Sequence, residues 1–373
     1  MSEVEREYFM RWRNISRRNF LRLTGCTAAA IALASKYTMA EENNTDVKPT
    51  KAQADWMKLG YGMFIHFGPG TIRGLSYGDG KFPAEKVVFE KLDIAQWAGT
   101  AAEAGMKYAV LTSKHVDGFC LWPSKHTEYS VKNSSVKKDI VRLFVDEFKK
   151  AGIKTGFYYC FIDNNFRQFK NDDVYNEYVR NQVTELLTNY GDVLELWFDG
   201  AWVKDHPTRD WPWDPNWEKN PNSGLKHGER WQWNELYRLV HKLQPNCLVL
   251  NNSSSDSPGR VKYLPVDVRT AERFDFVWKG KTCEPITDPI FSGADGRKVY
   301  LPLEYCDSLA ADWFWKKGDE KKQPSVATIC DWYRRARKTQ VNLLLNAGPD
   351  ATGVIPDYNR QNLSAAAKQL NLR

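Results

Sequence analysis

The sequence predicts an α/β protein built as a (β/α)8 barrel of the TIM type, and two observations support that prediction. An amphipathic helix, a glycine stop and a short apolar strand follow one another repeatedly along the chain. The strands are nearly continuous apolar runs, as expected for a parallel sheet buried on both faces. About eight such strands are present, a number that suits a closed barrel better than an open sheet.

The repeats of this pattern can be placed in order. Predicted helices cover residues 93–104, 138–151, 172–190, 231–244 and 325–338. Gly105, Gly152, Gly191 and Pro245 follow four of them, and these residue types terminate helices. Predicted strands cover residues 63–67, 107–112, 154–160, 193–199, 247–250 and 341–345, with two more near Val266 and Tyr300. No GxGxxG motif follows the first strand, which argues against a dinucleotide-binding sheet.

Residues 1–40 predict an export signal. Ser16–Arg22 matches the twin-arginine pattern, and the apolar run Leu23–Ser35 that follows is too short to span a membrane. Thr38–Ala40 then offers the small residues of a cleavage site, so we expect a periplasmic protein. Cys26 lies in a lipobox-like context, but it precedes most of the apolar run, which argues against a lipid anchor.

A polar linker is predicted over residues 41–51 and one catalytic barrel over residues 52–373. The net charge of +7 falls to about +3 without the export segment and its basic residues are scattered, so we expect no nucleic-acid partner. No CxxC or His-x-His spacing occurs, and we expect no metal and no cofactor. Cys160 and Cys247 fall in apolar strands, where buried free thiols explain them as well as disulfides do.

Polar side chains follow the apolar runs at the strand ends, where (β/α)8 barrels carry their active sites. They are His66, Lys114, His115, Asp163, Asp199, Asn251, Asn252, Glu304 and Asn346. Asp199 is the strongest candidate, because an apolar run delivers it to the barrel mouth and Gly200 lets the backbone turn. Glycoside hydrolysis uses two such carboxyl groups, and the 15 Trp and 17 Tyr of the chain suit stacking on sugar rings. The alternative is a strand-end Asp that only caps the next helix.

Five motifs in this order resemble those of the α-L-fucosidases of glycoside hydrolase family 29. They are Met63–Gly68, Lys114–Ser124, Gly156–Tyr159, Leu196–Gly200 and Leu343–Asp350, the last followed by Gly353–Pro356. The resemblance implies an exo-acting, retaining glycosidase that releases terminal α-L-fucose from oligosaccharides, with Asp199 as the nucleophile. It implies Glu304 as the acid/base, with Glu272 as the fallback. The residues it implies as sugar contacts are His66, His115, Tyr159, Trp197 and Arg273.

The sequence also departs from this family's pattern. Val116 stands where many relatives carry a second histidine, Arg73–Phe82 lacks the usual Glu-Trp pair, and Cys283–Val299 looks inserted. A lost hydrogen-bond donor changes which sugar hydroxyl can be bound, so another α-linked L-sugar such as L-galactose is an alternative substrate. A non-catalytic carbohydrate-binding protein is the alternative from another class. The chain ends soon after the final barrel motif, and we expect the barrel without the family's C-terminal β-sandwich.

Overall fold

The computed structural model describes residues 47–169, 171–201, 229–252, 259, 261, 264–273, 277–278, 281–282, 287–292 and 298–372. The predicted export signal over residues 1–40, with Cys26, lies outside the described residues, as do most of the predicted linker and Cys283.

Eight parallel strands form the centre of the protein and confirm the predicted barrel. They are β1 (Tyr61–Ile65), β2 (Tyr108–Lys114), β3 (Lys154–Cys160), β4 (Glu195–Asp199), β5 (Leu248–Asn251), β6 (Arg269–Glu272), β7 (Leu303–Ser308) and β8 (Asn342–Asn346). The sheet runs in the order β5-β4-β3-β2-β1-β8-β7-β6. Its two edges meet where Leu250 bridges to Val268, and the Asp267 amide donates to the Val249 carbonyl over 2.8 Å.

The helices lie between the strands, and short polar side chains begin several of them. They are α1 (Lys51–Met57), α2 (Pro69–Arg73), α3 (Ile94–Glu103), α4 (Ile140–Lys150), α5 (Asp172–Asn189), α6 (Trp233–Leu243), α7 (Val326–Lys338) and α8 (Asp357–Leu370). Asp93, Asp139, Asn171 and Ser325 each accept a backbone N–H of the first turn, which satisfies a group that the helix leaves free. Within the described ranges, no helix has the length and apolar character of a membrane span.

The connection between β6 and β7 differs from the helix-and-strand pattern. Its described residues form two short antiparallel pairs, Val277–Trp278 with Lys281–Thr282 and Ile290–Ser292 with Lys298–Tyr300. The strand predicted near Tyr300 therefore begins later, at Leu303. Glu304 is consequently the second residue of β7 and not the polar residue at its end.

The core has two layers, one inside the barrel and one between the strands and the helices. Phe64, Tyr108, Tyr158, Trp197 and Leu344 fill the interior. Trp56 of α1 packs with this inner cluster and closes the end of the barrel at which the strands begin.

The cysteines add no covalent link in the part of the chain that the structure describes. Five of them are buried free thiols, in agreement with the free-thiol explanation for Cys160 and Cys247. The full set is Cys120, Cys160, Cys247, Cys306 and Cys330.

A buried ion pair stabilises the loops that follow β2 and β3. Lys114 Nζ lies 3.0 Å from Asp163 Oδ2, and both side chains are almost completely inaccessible to solvent. Three tyrosine rings surround the ammonium group, with Tyr159 the nearest at 4.4 Å from the ring centroid. The backbone amides of Asn165 and Phe166 donate to the other Asp163 oxygen. The Asp163 carboxylate therefore connects Lys114, at the end of β2, to the loop that follows β3.

Asp163→Asn should lower the free energy of unfolding by about 3–5 kcal/mol, because it leaves the Lys114 charge buried without its counter-ion. Urea unfolding followed by circular dichroism measures the change. Asp331→Asn is the control, since it removes an exposed ion pair with Arg335 and should leave the midpoint unchanged. Equal effects of the two substitutions would contradict a structural role for the buried pair.

Candidate active site

A cavity of about 140 Å³ opens at the carboxyl ends of the barrel strands. Its volume is below the range typical of sites for drug-sized ligands, and it suits a single sugar ring. Its lining consists of Phe64, His66, Tyr77, His115, Val116, Tyr158, Cys160, Ile162, Trp197, Asp199, Gly200, Glu272 and Trp313. Six strands and their following loops contribute these residues, so the site exists only in the closed barrel.

Asp199 lies in the cavity, where the sequence placed it. Alternate residues of β4 face the barrel interior, which brings Trp197 and then Asp199 to the mouth. The carboxylate accepts hydrogen bonds from Tyr158 Oη at 2.5 Å, from the Gly200 amide at 2.8 Å and from Asn252 Nδ2 at 3.1 Å. Three donors around one carboxylate stabilise its ionised form.

Glu272 is the second carboxyl group of the cavity. It is the last residue of β6, and its Oε1 accepts from the same Asn252 Nδ2 at 3.2 Å. The two bonds from one nitrogen limit the accepting oxygens of Asp199 and Glu272 to a separation of at most about 6.3 Å. Thr270 Oγ1 donates to Asn252 Oδ1 at 3.2 Å, which turns the amide nitrogen toward the two acids.

The two carboxyl groups differ in their affinity for protons. Burial raises the pKa of Glu272 to about 8, and the negative charge of Asp199 adds to this shift. Burial also raises the pKa of Asp199, but its bonds from Tyr158, Asn252 and the Gly200 amide act in the opposite direction. One group of the pair is therefore protonated at neutral pH, and Glu272 is the one that holds the proton.

His66 and His115, both predicted as sugar contacts, line the cavity, and both rings are neutral. Burial lowers the pKa of His66 to about 3 and that of His115 well below its usual value. His66 Nδ1 lies 2.9 Å from Asn346 Oδ1, and the amide nitrogen of Asn346 donates to Ser308 Oγ and to the Trp313 carbonyl. This network places the hydrogen of His66 on Nδ1 and leaves Nε2 as an acceptor.

Aromatic rings form the floor and one wall of the cavity. Tyr158 stacks on Trp197 at 5.5 Å and on His115 at 5.4 Å between ring centroids. Trp313 stacks on His66 at 5.1 Å. Tyr77 lies at the rim, 59% exposed, within the segment that departs from the family pattern.

Tyr159, predicted as a sugar contact, is not among the residues that line the cavity. Its hydroxyl donates to Gln182 Oε1 at 2.8 Å, and its ring packs against Lys114 outside the sheet. Neighbouring residues of a strand face opposite sides, so Tyr158 occupies the position inside the barrel instead. Since Cys160 also faces the cavity, the alternation along β3 was the signal that could have identified Tyr158.

Glu304, predicted as the acid/base, is also absent from the cavity lining. It pairs in register with Thr270, whereas Cys306 pairs with Glu272, so Glu304 lies two residues deeper along the strands. It is 1% exposed and accepts hydrogen bonds from Tyr108 Oη and Trp197 Nε1 at 2.6 and 3.0 Å. Solvent and ligands in the cavity therefore do not reach it.

Arg273 lies behind the cavity wall. Its guanidinium group stands 4.8 Å from the centroid of the Trp313 ring and donates to Asp307 Oδ1 at 3.2 Å. Arg273 is not among the lining residues of the cavity, and the sugar contact predicted for it stays a prediction. Its positive charge opposes the rise in the pKa of Glu272.

Val116, Cys160 and Ile162 give one side of the cavity an apolar surface. Val116 is buried at the position where the sequence lacks the second histidine, so no side-chain donor replaces it there. The cavity thus combines polar groups on one side with an apolar wall on the other.

A (β/α)8 barrel with two carboxyl groups in one sugar-sized cavity has the architecture of a glycoside hydrolase. The chain belongs to the alpha-L-fucosidase family, because the model of that family, described as Alpha-L-fucosidase, matches residues 81–373.

Individual relatives agree with this assignment. The chain is 30% identical to Alpha-L-fucosidase 1 of Arabidopsis thaliana over 332 residues, which cover 87% of this chain and 60% of the relative. It is 30% identical to Putative alpha-L-fucosidase 1 of Oryza sativa subsp. japonica over 327 residues, which cover 84% and 57%.

Solved structures show the same fold. A glycoside hydrolase 29 family member from an unknown rumen bacterium superposes with a TM-score of 0.69 at 30% identity, covering 87% of this chain and 57% of that one. A putative alpha-L-fucosidase from Bacteroides thetaiotaomicron superposes with a TM-score of 0.68 at 28% identity, covering 87% and 68%. The chain spans about three fifths of the length of the two plant relatives.

Tyr158→Phe should lower kcat/KM by roughly 10- to 100-fold, because it removes a hydrogen bond to the Asp199 carboxylate. Tyr159→Phe is the matched control: it removes the neighbouring hydroxyl, which bonds to Gln182 outside the sheet, and should leave kcat/KM close to the wild-type value. Steady-state kinetics of both variants on an aryl glycoside substrate provide the measurement. A larger loss of kcat/KM in Tyr159→Phe than in Tyr158→Phe would contradict the assignment of Tyr158 to the site.

Proposed function

We propose that this protein is an exo-acting glycoside hydrolase that releases terminal α-L-fucose from oligosaccharides with retention of configuration. The observation that carries the proposal is the pair of carboxyl groups, Asp199 and Glu272, bound to a single nitrogen of Asn252 in the cavity. Retaining glycosidases place their two carboxyl groups about 5–5.5 Å apart, within the limit set by the two shared bonds. Membership of the alpha-L-fucosidase family supports fucose as the sugar.

The two acids take different roles because their surroundings differ. Asp199 accepts three hydrogen bonds and serves as the nucleophile. Glu272 serves as the acid/base in place of Glu304, because it lines the cavity and holds a proton at neutral pH. An acid must be protonated at the start of the reaction and a nucleophile must be ionised, and this division of roles meets both requirements.

In the first step, a carboxylate oxygen of Asp199 attacks the anomeric carbon and the bond to the leaving oxygen breaks. Glu272 gives its proton to that oxygen, so the leaving group departs as an alcohol. In the second step, the ionised Glu272 takes a proton from water, whose oxygen attacks the anomeric carbon and displaces Asp199. Two inversions give net retention and restore both groups.

The sugar is held by neutral rings and by one apolar surface. His66 offers an acceptor at Nε2 for a sugar hydroxyl, and the stacked rings of Trp197 and Tyr158 contribute apolar surface to the cavity lining. The apolar wall at Val116 favours a sugar that presents no hydroxyl there. It is also the observation that keeps another α-linked L-sugar, such as L-galactose, as the second candidate substrate.

Export to the periplasm is part of the proposal and rests on the sequence. Ser16–Arg22 with the apolar run after it supports twin-arginine export. A periplasmic location would give the enzyme access to oligosaccharides that enter from outside the cell.

Asp199→Asn should lower the rate of 4-nitrophenyl α-L-fucoside hydrolysis at least about a thousandfold, because the amide is a poor nucleophile. The wild type and the exposed-site variant Asp331→Asn, assayed in parallel, should both be active. Activity on 4-nitrophenyl α-L-galactoside but not on the fucoside would favour the second sugar. Binding of fucose without hydrolysis by the wild type would instead favour a carbohydrate-binding protein.

In the pH dependence of kcat/KM, the alkaline limb should lie near pH 8, because Glu272 there loses the proton that it must donate. Glu272→Gln should remove this limb, and azide should speed its residual activity on the aryl substrate by taking the place of the attacking water. Asp117→Asn is the control, because burial raises the pKa of Asp117 to about 7 while its side chain lies outside the cavity lining. A limb that disappears in Asp117→Asn would contradict the assignment to Glu272.

A further inference from the structure

A second pair of carboxyl groups lies at the floor of the barrel, beneath the cavity. Glu195 is the first residue of β4 and Glu304 the second of β7, and their exposed fractions are 0% and 1%. Glu195 Oε2 accepts from Trp56 Nε1 at 2.5 Å, and the two oxygens of Glu304 accept from Tyr108 Oη and Trp197 Nε1.

The barrel makes room for this pair with two glycines. A Cβ atom on Gly156 of β3 would lie 2.7 Å from Glu195 Cγ, and one on Gly62 of β1 would lie 2.6 Å from the Tyr108 ring. Real Cβ atoms do not approach other atoms this closely, so glycine at these positions is a condition for the arrangement. The two glycines therefore leave the space that the polar groups at the floor occupy.

The two acids cannot both be ionised. Their carboxyl groups face each other at hydrogen-bond contact, and within the described residues no lysine or arginine forms an ion pair with either of them. Glu195 Oε1 faces no donor in the described part of the chain, which a proton on Glu195 directed at Glu304 would explain. Burial raises the pKa of Glu195 well above its usual value, which agrees with the proton residing there.

The pair is connected to the nucleophile through two aromatic rings. Glu304 Oε1 holds the indole nitrogen of Trp197 at 3.0 Å. The Trp197 ring stacks on Tyr158 with an angle of 22° between the planes, and the Tyr158 hydroxyl donates to Asp199. Each contact in this series fixes the orientation of the next ring or carboxylate.

We propose that Glu195 and Glu304 share one proton and act together as positioning residues, which hold Trp197 and through it the Tyr158–Asp199 hydrogen bond in the reactive arrangement. This inference rests on the proposed glycosidase function, since it assigns a task to residues beneath that site. It gives the Glu304 carboxyl a role that requires no contact with substrate.

Two substitutions at Glu195 and one at Glu304 separate this role from acid/base catalysis. Glu304→Leu removes both acceptors and should lower kcat/KM roughly 10- to 100-fold, with no acceleration by azide. Glu195→Gln should stay within about threefold of the wild type, because its amide oxygen can accept from Trp56 and its amide nitrogen can donate to Glu304. Glu195→Leu lacks this donor and should resemble Glu304→Leu, and it serves if Glu304→Leu does not fold.

The Trp197→Phe background tests the connection to the cavity. Phenylalanine has no N–H for Glu304 to hold, so Glu304→Leu should cost less than about threefold in that background. Equal losses in both backgrounds, azide acceleration of Glu304→Leu, or a Glu195→Gln variant as impaired as Glu195→Leu would each overturn the proposal.

The test of the proton-sharing pair can be distinguished from the test of the proposed function. A wild-type protein that hydrolyses neither aryl glycoside would refute the function but not the proton-sharing pair. Urea unfolding tests the pair without substrate: Glu195→Gln should keep the wild-type midpoint, and Glu195→Leu should lower it.

Discussion

The active site depends on one amide nitrogen that two carboxyl groups share. Asn252 can serve both Asp199 and Glu272 only because Thr270 binds its amide oxygen and so fixes the direction of the nitrogen. Two carboxyl groups this close do not ionise together without a large energetic cost, and the group that accepts fewer hydrogen bonds, Glu272, is the one that is neutralised. The difference in protonation that glycoside hydrolysis needs thus follows from the meeting of three strand ends, those of β4, β5 and β6.

A second pair of carboxyl groups, Glu195 and Glu304, lies deeper in the barrel, beneath the cavity. Along β4, Glu195, Trp197 and Asp199 face inward in succession, so one strand supplies a residue to the floor, one to the middle layer and one carboxylate to the cavity. Aromatic rings fill the space between the two polar layers and exclude water from it. Each polar layer can therefore keep its own protonation state, because the rings separate the upper pair of acids from the lower pair.

Much of the barrel could be predicted because its strands are apolar and its helices end at glycine or proline. The prediction of β3 over residues 154–160 matches the structure, and Asp199 follows from the apolar run of β4. The placements of Tyr159 and Glu304 differ from the prediction for separate reasons: a shift by one residue reverses the face of a strand, whereas a misplaced strand start moves a residue along the barrel axis. Tyr158 and Tyr159 face opposite sides of β3, and the apolar residues Leu301 and Leu303 make the start of β7 hard to locate, so Glu304 lies near the beginning of that strand and not at its end.

The strand predicted near Val266 begins later, as β6 at Arg269, because only one of its four residues Arg269–Glu272 is apolar and hydrophobicity does not locate it accurately. The role of Asn252 depends on contacts between three strands and has no signature in the sequence around it.

Phe64 and Trp197 close the floor of the cavity, so molecules cannot pass through the barrel at that end. Within the part of the chain that the structure describes, the cavity opens at the other end, so under the proposed reaction the leaving alcohol and the attacking water would use the same passage. The proposed reaction would release the alcohol first and the monosaccharide last, because the sugar stays bonded to Asp199 until water arrives.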